Sequence, residues 1–173
     1  MKQYKVAILG ATGAVGREMM KVLAERDFPI SELHLLASQR SVGQAVHWKG
    51  HDIPVELACD AAFEGIDIVL GAAENDIAMR FAPAIVKAGA VFVDNSSAFR
   101  LYEDVPLVVS EINPEDVRKH RGIIANPNCT TIISLVALNA LNKESPIESI
   151  IASSYQAVSG AGAQGISELS EET

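Results

Sequence analysis

Cys129 is the residue of this sequence best suited to nucleophilic chemistry. It follows a short apolar run and opens a second apolar stretch with helical spacing, in the segment Asn128-Cys129-Thr130-Thr131. Helix N-termini stabilise thiolates, because their free N–H groups and the helix dipole favour negative charge. The position therefore favours a nucleophile at Cys129. Cys59 lies in a stretch without such features and is interpreted as a small buried side chain.

A glycine-rich turn near the amino terminus is typical of a dinucleotide-binding loop. Gly10, Gly13 and Gly16 recur at every third position, between a short apolar run and a helical pattern. Small residues at such a turn let backbone N–H groups approach a pyrophosphate, which also meets the positive end of the helix dipole. We therefore predict that Gly10–Gly16 binds a dinucleotide; the alternative is a tight turn without a ligand.

The end of the second predicted strand favours NADP over NAD. NAD sites usually place Asp or Glu about 20 residues after the glycines, but here the sequence is Ser38-Gln39-Arg40-Ser41, without an acid. Two hydroxyls and a guanidinium suit a 2′-phosphate, to which arginine makes paired, charge-assisted hydrogen bonds. The alternative interpretation is a solvated polar loop.

Two further polar clusters are candidate parts of a site. Asp94–Arg100 follows a predicted strand, and Arg100 could hold a carboxylate or a phosphate; alternatively it is a surface charge paired with Asp94. Ser154–Gly162 contains Gln156, whose amide could orient a substrate or a water molecule without carrying charge. The alternative for Gln156 is a turn amide.

The elements that must position these residues alternate between short apolar runs and helical spacing, which predicts an α/β fold. Strands are predicted at 5–9, 33–37, 66–72, 91–94, 123–125 and 147–155, and a hairpin at 44–54. Helices are predicted at 14–26, 76–88, 114–119, 130–141 and from 160 onward. Asn75 or Asp76 is expected to cap the second helix.

The composition excludes several classes of protein. The 173 residues are 49% hydrophobic and 21% charged, which is too apolar for a disordered chain. A net charge of −8 argues against a nucleic-acid or anionic-membrane surface, and no apolar run approaches the ~20 residues that span a bilayer. Two cysteines without a CxxC or Cys/His cluster predict neither a disulfide framework nor a metal site. A cytoplasmic protein is expected, and its four histidines are interpreted as structural or surface residues.

Five motifs in register resemble those of aspartate-semialdehyde dehydrogenases. They are Gly10–Gly16, Ser38–Ser41, Asn95–Arg100, Asn126–Thr131 and Tyr155–Gly162. The resemblance covers the whole chain. It implies a Rossmann-type doubly wound, mostly parallel sheet that binds NADP at residues 1–128, followed at 129–173 by the beginning of a second, α+β catalytic and dimerisation domain.

The resemblance also implies a role for each matching residue. Cys129 is similar to the nucleophile that forms an acyl-thioester, and Gln156 to the residue that positions the substrate. Arg100, Asn95 and Asn128, together with Gln156, match the residues that bind substrate or phosphate. The implied cofactor contacts are Gly10, Thr12, Gly13, Ala14, Val15, Gly16, Ser38, Arg40, Ser41, Ser159 and Gly160.

The implied reaction is the reversible, NADP-dependent reduction of β-aspartyl phosphate to aspartate semialdehyde and phosphate. It proceeds through a cysteine thioester and serves the synthesis of lysine and diaminopimelate, threonine and methionine. Covalent catalysis divides this exchange into two easier steps. A homodimer or homotetramer is implied for the full-length enzyme, with small-molecule substrates as its other partners.

Two departures from the family pattern limit the expectation. Glu74 stands in a cofactor-facing loop where a small, Ser/Gly-rich turn is expected. The histidine base and the groups that bind the substrate carboxylate are expected after Thr173, so this chain alone is expected to be inactive. The alternatives are N-acetyl-γ-glutamyl-phosphate reductase, which resembles this family, and a non-catalytic dinucleotide-binding module, for which Cys129 would be dispensable.

Overall fold

The computed structural model describes residues 2–172, in which seven strands form one sheet. In chain order the strands are β1 (Tyr4–Leu9), β2 (Ile30–Ala37), β3 (Ala45–Trp48), β4 (His51–Leu57), β5 (Ile68–Gly71), β6 (Val91–Asp94) and β7 (Ile123–Ala125). The α-helices are α1 (Ala14–Glu25), α2 (Asn75–Lys87), α3 (Cys129–Glu144) and α4 (Gly162–Glu172). Short 3-10 helices occur at Gln39–Ser41, Asp60–Phe63, Pro114–Lys119 and Val158–Ala161.

The sheet is doubly wound around β1. Its strand order is β3-β4-β2-β1-β5-β6-β7, and every neighbouring pair is parallel except the antiparallel hairpin β3–β4. The chain runs outward from β1 to one side and then crosses to β5 on the other side. Ligands of such sheets bind at the carboxyl ends of the strands, near this reversal of direction.

Helices cover both faces of the sheet centre, and for this reason residues Val6–Leu9 of β1 are apolar without alternation. Residues Val6–Leu9 of β1 are fully buried. On one face Ile8 and Leu35 pack in a cluster with Met20 of α1. On the other face Leu9 lies in a cluster with Phe81 of α2. This two-sided packing fixes the strand ends that carry the polar segments.

The predicted α/β fold with a doubly wound, mostly parallel sheet is confirmed, and most predicted elements occur within a few residues of their expected positions. None of the helices within residues 2–172 is long and apolar enough to cross a membrane.

Three predictions about local structure are wrong. Residues 147–155 form no strand, and Ile151 and Tyr155 are fully exposed, because no described strand lies beside this segment to pair with it. The residue before α2 is Glu74, and its side chain makes no capping bond. The side-chain oxygen of Asn75 instead accepts from the backbone N–H of Ser97, and its amide nitrogen donates to the Ser97 hydroxyl. Cys59 is exposed, not buried.

Candidate functional site

The predicted site residues of the first 131 positions gather at the carboxyl edge of the sheet. Gly10 follows β1, Ser38 follows β2, Asn95 follows β6 and Asn126 follows β7. Because these strands are parallel, their carboxyl ends meet at one edge. The fold therefore places three segments on one side of the molecule: Gly10–Gly16, Ser38–Ser41 and Asn95–Arg100.

The glycine turn is shaped by close backbone contacts. Gly10 has φ +88°, and a Cβ there would lie 2.8 Å from the carbonyl oxygen of Ala72. Gly16 is buried in α1, and a Cβ there would lie 2.5 Å from the carbonyl oxygen of Gly10. Both positions therefore require glycine, which lets α1 begin directly against the end of β1.

The beginning of α1 has free donors that fit a pyrophosphate. Gly13 is the N-cap and gives no side-chain cap, and the first turn contains no acidic residue. In residues 2–172 the N–H groups of Ala14, Val15 and Gly16 bond to no acceptor. An anion at this point would meet both these donors and the positive end of the helix dipole.

The two parts of the predicted cofactor site lie next to each other. The hydroxyl of Thr12 in the glycine turn is 3.3 Å from the hydroxyl of Ser41, at the end of the 3-10 helix Gln39–Ser41. Arg40 and Ser38 are exposed beside it. The donor set of two hydroxyls, free N–H groups and one guanidinium fits a dinucleotide with an additional phosphate.

Arg100 is held between the ends of β6 and β7. Its Nε donates to the carbonyl oxygen of Asn126 and its Nη2 to that of Asn95, each at 2.9 Å. The Asn126 amide in turn donates to Oδ1 of Asn95 at 2.6 Å. No Asp or Glu among the described residues lies within 4.0 Å of this guanidinium, so its charge is not paired at contact distance.

Asp94 is the last residue of β6, directly before Asn95 in sequence, and is fully buried. Its carboxylate accepts hydrogen bonds from the hydroxyl of Ser96 at 2.6 Å and from the Ser96 N–H at 3.2 Å. Burial raises the pKa of the Asp94 carboxyl, and the two bonds from Ser96 and the charge of Arg100 act in the opposite direction. Asp94 is thus bound mainly to its own loop rather than paired directly with Arg100.

Cys129 is the first residue of α3, one position before the predicted start, and it is exposed. The side-chain oxygen of Asn128 accepts from the N–H of Thr130 at 3.0 Å and so caps the helix. Asn128 and Cys129 are joined to β7 by Asn126 and the buried Pro127. The thiol therefore stands at a capped helix N-terminus, shortly past the carboxyl end of a parallel strand.

Gln156 and Gly160 lie in a different environment. Gln156 is exposed in the irregular segment before the 3-10 helix Val158–Ala161. Its side chain occupies the space that a Cβ at Gly160 would need. Within residues 2–172 no hydrogen bond joins Gln156 to Cys129. The predicted contact of Ser159 falls on a side chain outside the described part of the chain.

Sequence reasoning did not assign roles to Asn126 and Ser96, although both lie in segments that it identified. Asn126 supplies a carbonyl and an amide to the Arg100 cluster, and Ser96 binds Asp94. Their positions just past the carboxyl ends of β7 and β6 are a signal that could have indicated them. Glu74 is exposed before α2.

Comparison with known proteins identifies the relatives of this chain. A family model described as "Semialdehyde dehydrogenase, NAD binding domain" matches residues 5–120, and the "dimerisation domain" model of the same name matches residues 138–173. Aspartate-semialdehyde dehydrogenase of Synechocystis is 52% identical over 169 residues, which are 98% of this chain and 50% of the relative. The chain spans about half the length of the curated relatives it matches.

Solved structures give the same result. Aspartate semialdehyde dehydrogenase II from Vibrio cholerae, complexed with ASA, superposes with a TM-score of 0.95 at 45% identity, over 100% of this chain and 52% of that one. Aspartate semialdehyde dehydrogenase with NADP from Candida albicans superposes with a TM-score of 0.65 at 26% identity, over 84% of this chain and 48% of that one. The chain therefore belongs to the semialdehyde dehydrogenase family.

Proposed function

We propose that this chain forms the NADP-binding and cysteine-bearing part of an aspartate-semialdehyde dehydrogenase of amino-acid biosynthesis. The observation that carries the proposal is the position of Cys129. It is exposed, begins a capped helix and follows the strand next to the Arg100 cluster. The family identity and the similarity to the Synechocystis and Vibrio enzymes support this assignment. The division into domains at residues 128 and 129 is part of the proposal.

The proposed reaction begins with attack of the Cys129 sulfur on the acyl carbon of β-aspartyl phosphate. A carbon–sulfur bond forms, the bond from the acyl carbon to the phosphate oxygen breaks, and phosphate leaves with that electron pair. The enzyme then holds an acyl-thioester. Arg100 is proposed to bind the phosphoryl group, because its guanidinium is fixed by two backbone carbonyls and has donors left for an anion.

NADPH, when bound, supplies the hydride that reduces the thioester carbonyl to the aldehyde. Gly10–Gly16, including Thr12, is proposed to hold the pyrophosphate, supported by the free donors of α1. Arg40 and Ser41 are proposed to hold the 2′-phosphate, supported by the 3.3 Å distance between the hydroxyls of Ser41 and Thr12. Addition of hydride to the thioester carbon leaves a thiohemiacetal oxyanion on Cys129. When this oxyanion re-forms the carbonyl, the carbon–sulfur bond breaks, the aldehyde is released and the electron pair returns to the Cys129 sulfur as a thiolate. Gln156 is proposed to orient the substrate.

The preference for NADPH can be measured on this chain by titration with NADPH and with NADH. We expect tighter binding of NADPH than of NADH. Arg40→Ala is expected to lower the ratio of the NADH to the NADPH dissociation constant by about tenfold, because a charge-assisted phosphate contact is lost. Arg26→Ala, outside the glycine turn at the end of α1, is the control and should leave the difference unchanged. Equal affinities of the parent chain for both cofactors would contradict the NADP assignment.

The reaction is tested with the longest chain that the gene encodes. Phosphate-dependent NADP reduction is followed by absorbance with aspartate semialdehyde and, in parallel, with N-acetylglutamate semialdehyde. Turnover on the first substrate alone, lost in Cys129→Ala but retained in Cys59→Ala, is the expected result. Turnover on the second substrate alone would assign the protein to the acetylated-glutamate reaction. Cofactor binding without turnover on either substrate would indicate a binding module.

A further inference from the structure

Asp94 is the buried charged residue of the described chain, and the fold makes room for it. It ends β6 with 0% exposure. On the neighbouring strand, a Cβ at Gly71 would lie 2.8 Å from Asp94 Oδ1 and 2.8 Å from the ring of Phe92. Glycine at position 71 therefore leaves the space that the carboxylate occupies.

The carboxylate organises the loop that follows it. Ser96 donates its hydroxyl to Asp94 Oδ2 at 2.6 Å and its N–H to Oδ1 at 3.2 Å. The same Ser96 hydroxyl accepts from the N–H of Ala98 at 3.1 Å. Two hydrogen bonds in series thus run from the buried carboxylate to the backbone two residues before Arg100.

The end of the loop is fixed by the packing of Phe99, and backbone carbonyls near the loop hold the Arg100 guanidinium. Phe99 is buried and packs edge-on against Phe92, with ring centroids 6.3 Å apart. The backbone N–H of Asn126 donates to the carbonyl oxygen of Asp94 at 2.8 Å. The two carbonyls that hold Arg100, those of Asn95 and Asn126, are therefore both attached to Asp94, one by sequence and one by a hydrogen bond.

We propose that Asp94 is a positioning residue for anion binding, which fixes the Arg100 guanidinium through Ser96 and the turn that Ser96 closes. The inference rests on the proposed role of Arg100 in binding the phosphoryl group. Asp94 itself does not contact the anion, because it lies beneath the loop with both carboxylate oxygens directed to Ser96.

Packing alone does not account for an acid at this position. Burial of a carboxylate is costly unless hydrogen bonds compensate it, and apolar residues of similar volume are often at least as stabilising. A fully satisfied polar network, in contrast, fixes one arrangement of the groups it joins. The raised pKa of Asp94 reflects the cost of burial.

The test compares Asp94→Asn, Ser96→Ala and the double variant with the parent chain. The Asp94→Asn substitution retains the shape of the side chain but leaves one acceptor oxygen for the two donors of Ser96, and Ser96→Ala removes the link itself. We expect each single variant to raise the dissociation constant for inorganic phosphate about tenfold. The dissociation constant of the double variant should rise by much less than the product of the two single increases. Both substitutions interrupt the same series of hydrogen bonds, from Asp94 through Ser96 to the loop backbone.

Asp67→Asn is the matched control. Asp67 lies just before β5, at the opposite edge of the sheet, and its carboxylate accepts from the N–H of Lys5 at 2.8 Å. Asp67→Asn makes the same change of a carboxylate to an amide, far from Arg100, and should leave phosphate affinity unchanged. The Arg100 Nε–H resonance in NMR is the second measurement. We expect faster exchange of this proton with water in the Asp94 and Ser96 variants but not in the control.

Arg100→Lys separates this inference from the proposed function. If phosphate binding survives Arg100→Lys unchanged, the proposed role of Arg100 fails. If Arg100→Lys weakens binding but Ser96→Ala and Asp94→Asn do not, the positioning role of Asp94 alone is overturned. Should Asp94→Asn fail to fold, Ser96→Ala still decides the question, because it removes one hydroxyl from a half-buried side chain.

Discussion

At the scale of single residues, the two cysteines provide a comparison within one chain. Both are exposed, so access to reagent does not distinguish them. Cys129 is the first residue of the 16-residue helix α3, whereas Cys59 precedes a 3-10 helix of 4 residues. More aligned peptide dipoles act at the start of the longer helix, and cysteines at helix N-termini are as a rule the more reactive ones.

We therefore expect iodoacetamide to modify Cys129 several-fold faster than Cys59 at neutral pH. Peptide mass spectrometry after timed quenching measures both rates in one sample. Cys59→Ser should leave the rate at Cys129 unchanged. Equal rates at the two thiols would contradict an activated Cys129 and weaken its proposed role as nucleophile.

Asp94 predicts a pH dependence of stability with a defined sign. Burial raises the pKa of its carboxyl in the folded chain, with the bonds from Ser96 and the nearby Arg100 opposing the shift. Between the ordinary aspartate pKa and this raised value, the folded state binds more protons than the unfolded state. The contribution of Asp94 to the free energy of unfolding therefore falls as pH rises through that interval.

Urea unfolding of the parent and Asp94→Asn across the acidic range measures this effect. The free energy of unfolding of the parent minus that of Asp94→Asn should be largest at the lowest pH. This difference should fall as pH rises past the ordinary aspartate pKa. If this difference in the free energy of unfolding instead grows with pH, the bonds from Ser96 and the charge of Arg100 have a larger effect on the pKa of Asp94 than burial has.

At the scale of elements, one side chain joins the β3–β4 hairpin to α1. Trp48 donates its indole N–H to the carbonyl oxygen of Met20 at 2.8 Å. The Lys49 ammonium lies over the Trp48 ring and also pairs with Asp27 at 2.6 Å. The hairpin is thus attached to the helix that follows the glycine turn.

Trp48→Phe should keep a ring in this place but remove the N–H donor. We expect a loss of about 1 kcal/mol in the free energy of unfolding, the usual net value of one hydrogen bond. Circular dichroism in urea measures it. Tyr155→Phe, which alters a fully exposed ring, should change nothing. An unchanged stability of Trp48→Phe would mean that the hydrogen bond from Trp48 to Met20 adds nothing measurable to the attachment of the hairpin.

The elements that the sequence predicts well are those specified by local patterns. The glycine turn before α1 and the Asn-Pro-Asn segment before α3 combine a strand signal, a turn and a helix start within a few residues. The expected strand at 147–155 is wrong because β propensity does not state which strand is available for pairing. The side chain of Asn75 does not cap α2 because it bonds to Ser97, which lies 22 residues later in the sequence. No local pattern predicts this contact.

The candidate site divides in the same way. Cys129, Arg100 and the glycines stand out by type and spacing. The burial of Asp94 depends on Gly71 in another strand, and the role of Asn126 depends on the pairing of β6 with β7. Such roles arise from tertiary contacts between distant segments and are invisible before the sheet order is known.

At the scale of the whole molecule, α3 differs from the other long helices. Within the described chain α1 and α2 each bury apolar side chains against the sheet, such as Met20 and Phe81. None of the 16 residues of α3 is buried, and Ile133 and Leu141 are 74% and 62% exposed. A helix of this length is only marginally stable in water without tertiary packing.

Hydrogen–deuterium exchange should therefore show faster exchange in peptides of α3 than in peptides of α2, when the chain is dilute. The matched comparison is internal, because α2 has 13 residues and packs on the sheet. Exchange is then repeated at higher concentration. The dimerisation-domain model matches residues 138–173, which include the last seven residues of α3. Protection that rises with concentration would show that a second copy covers α3, whereas α3 protection equal to that of α2 in dilute solution would contradict its exposure.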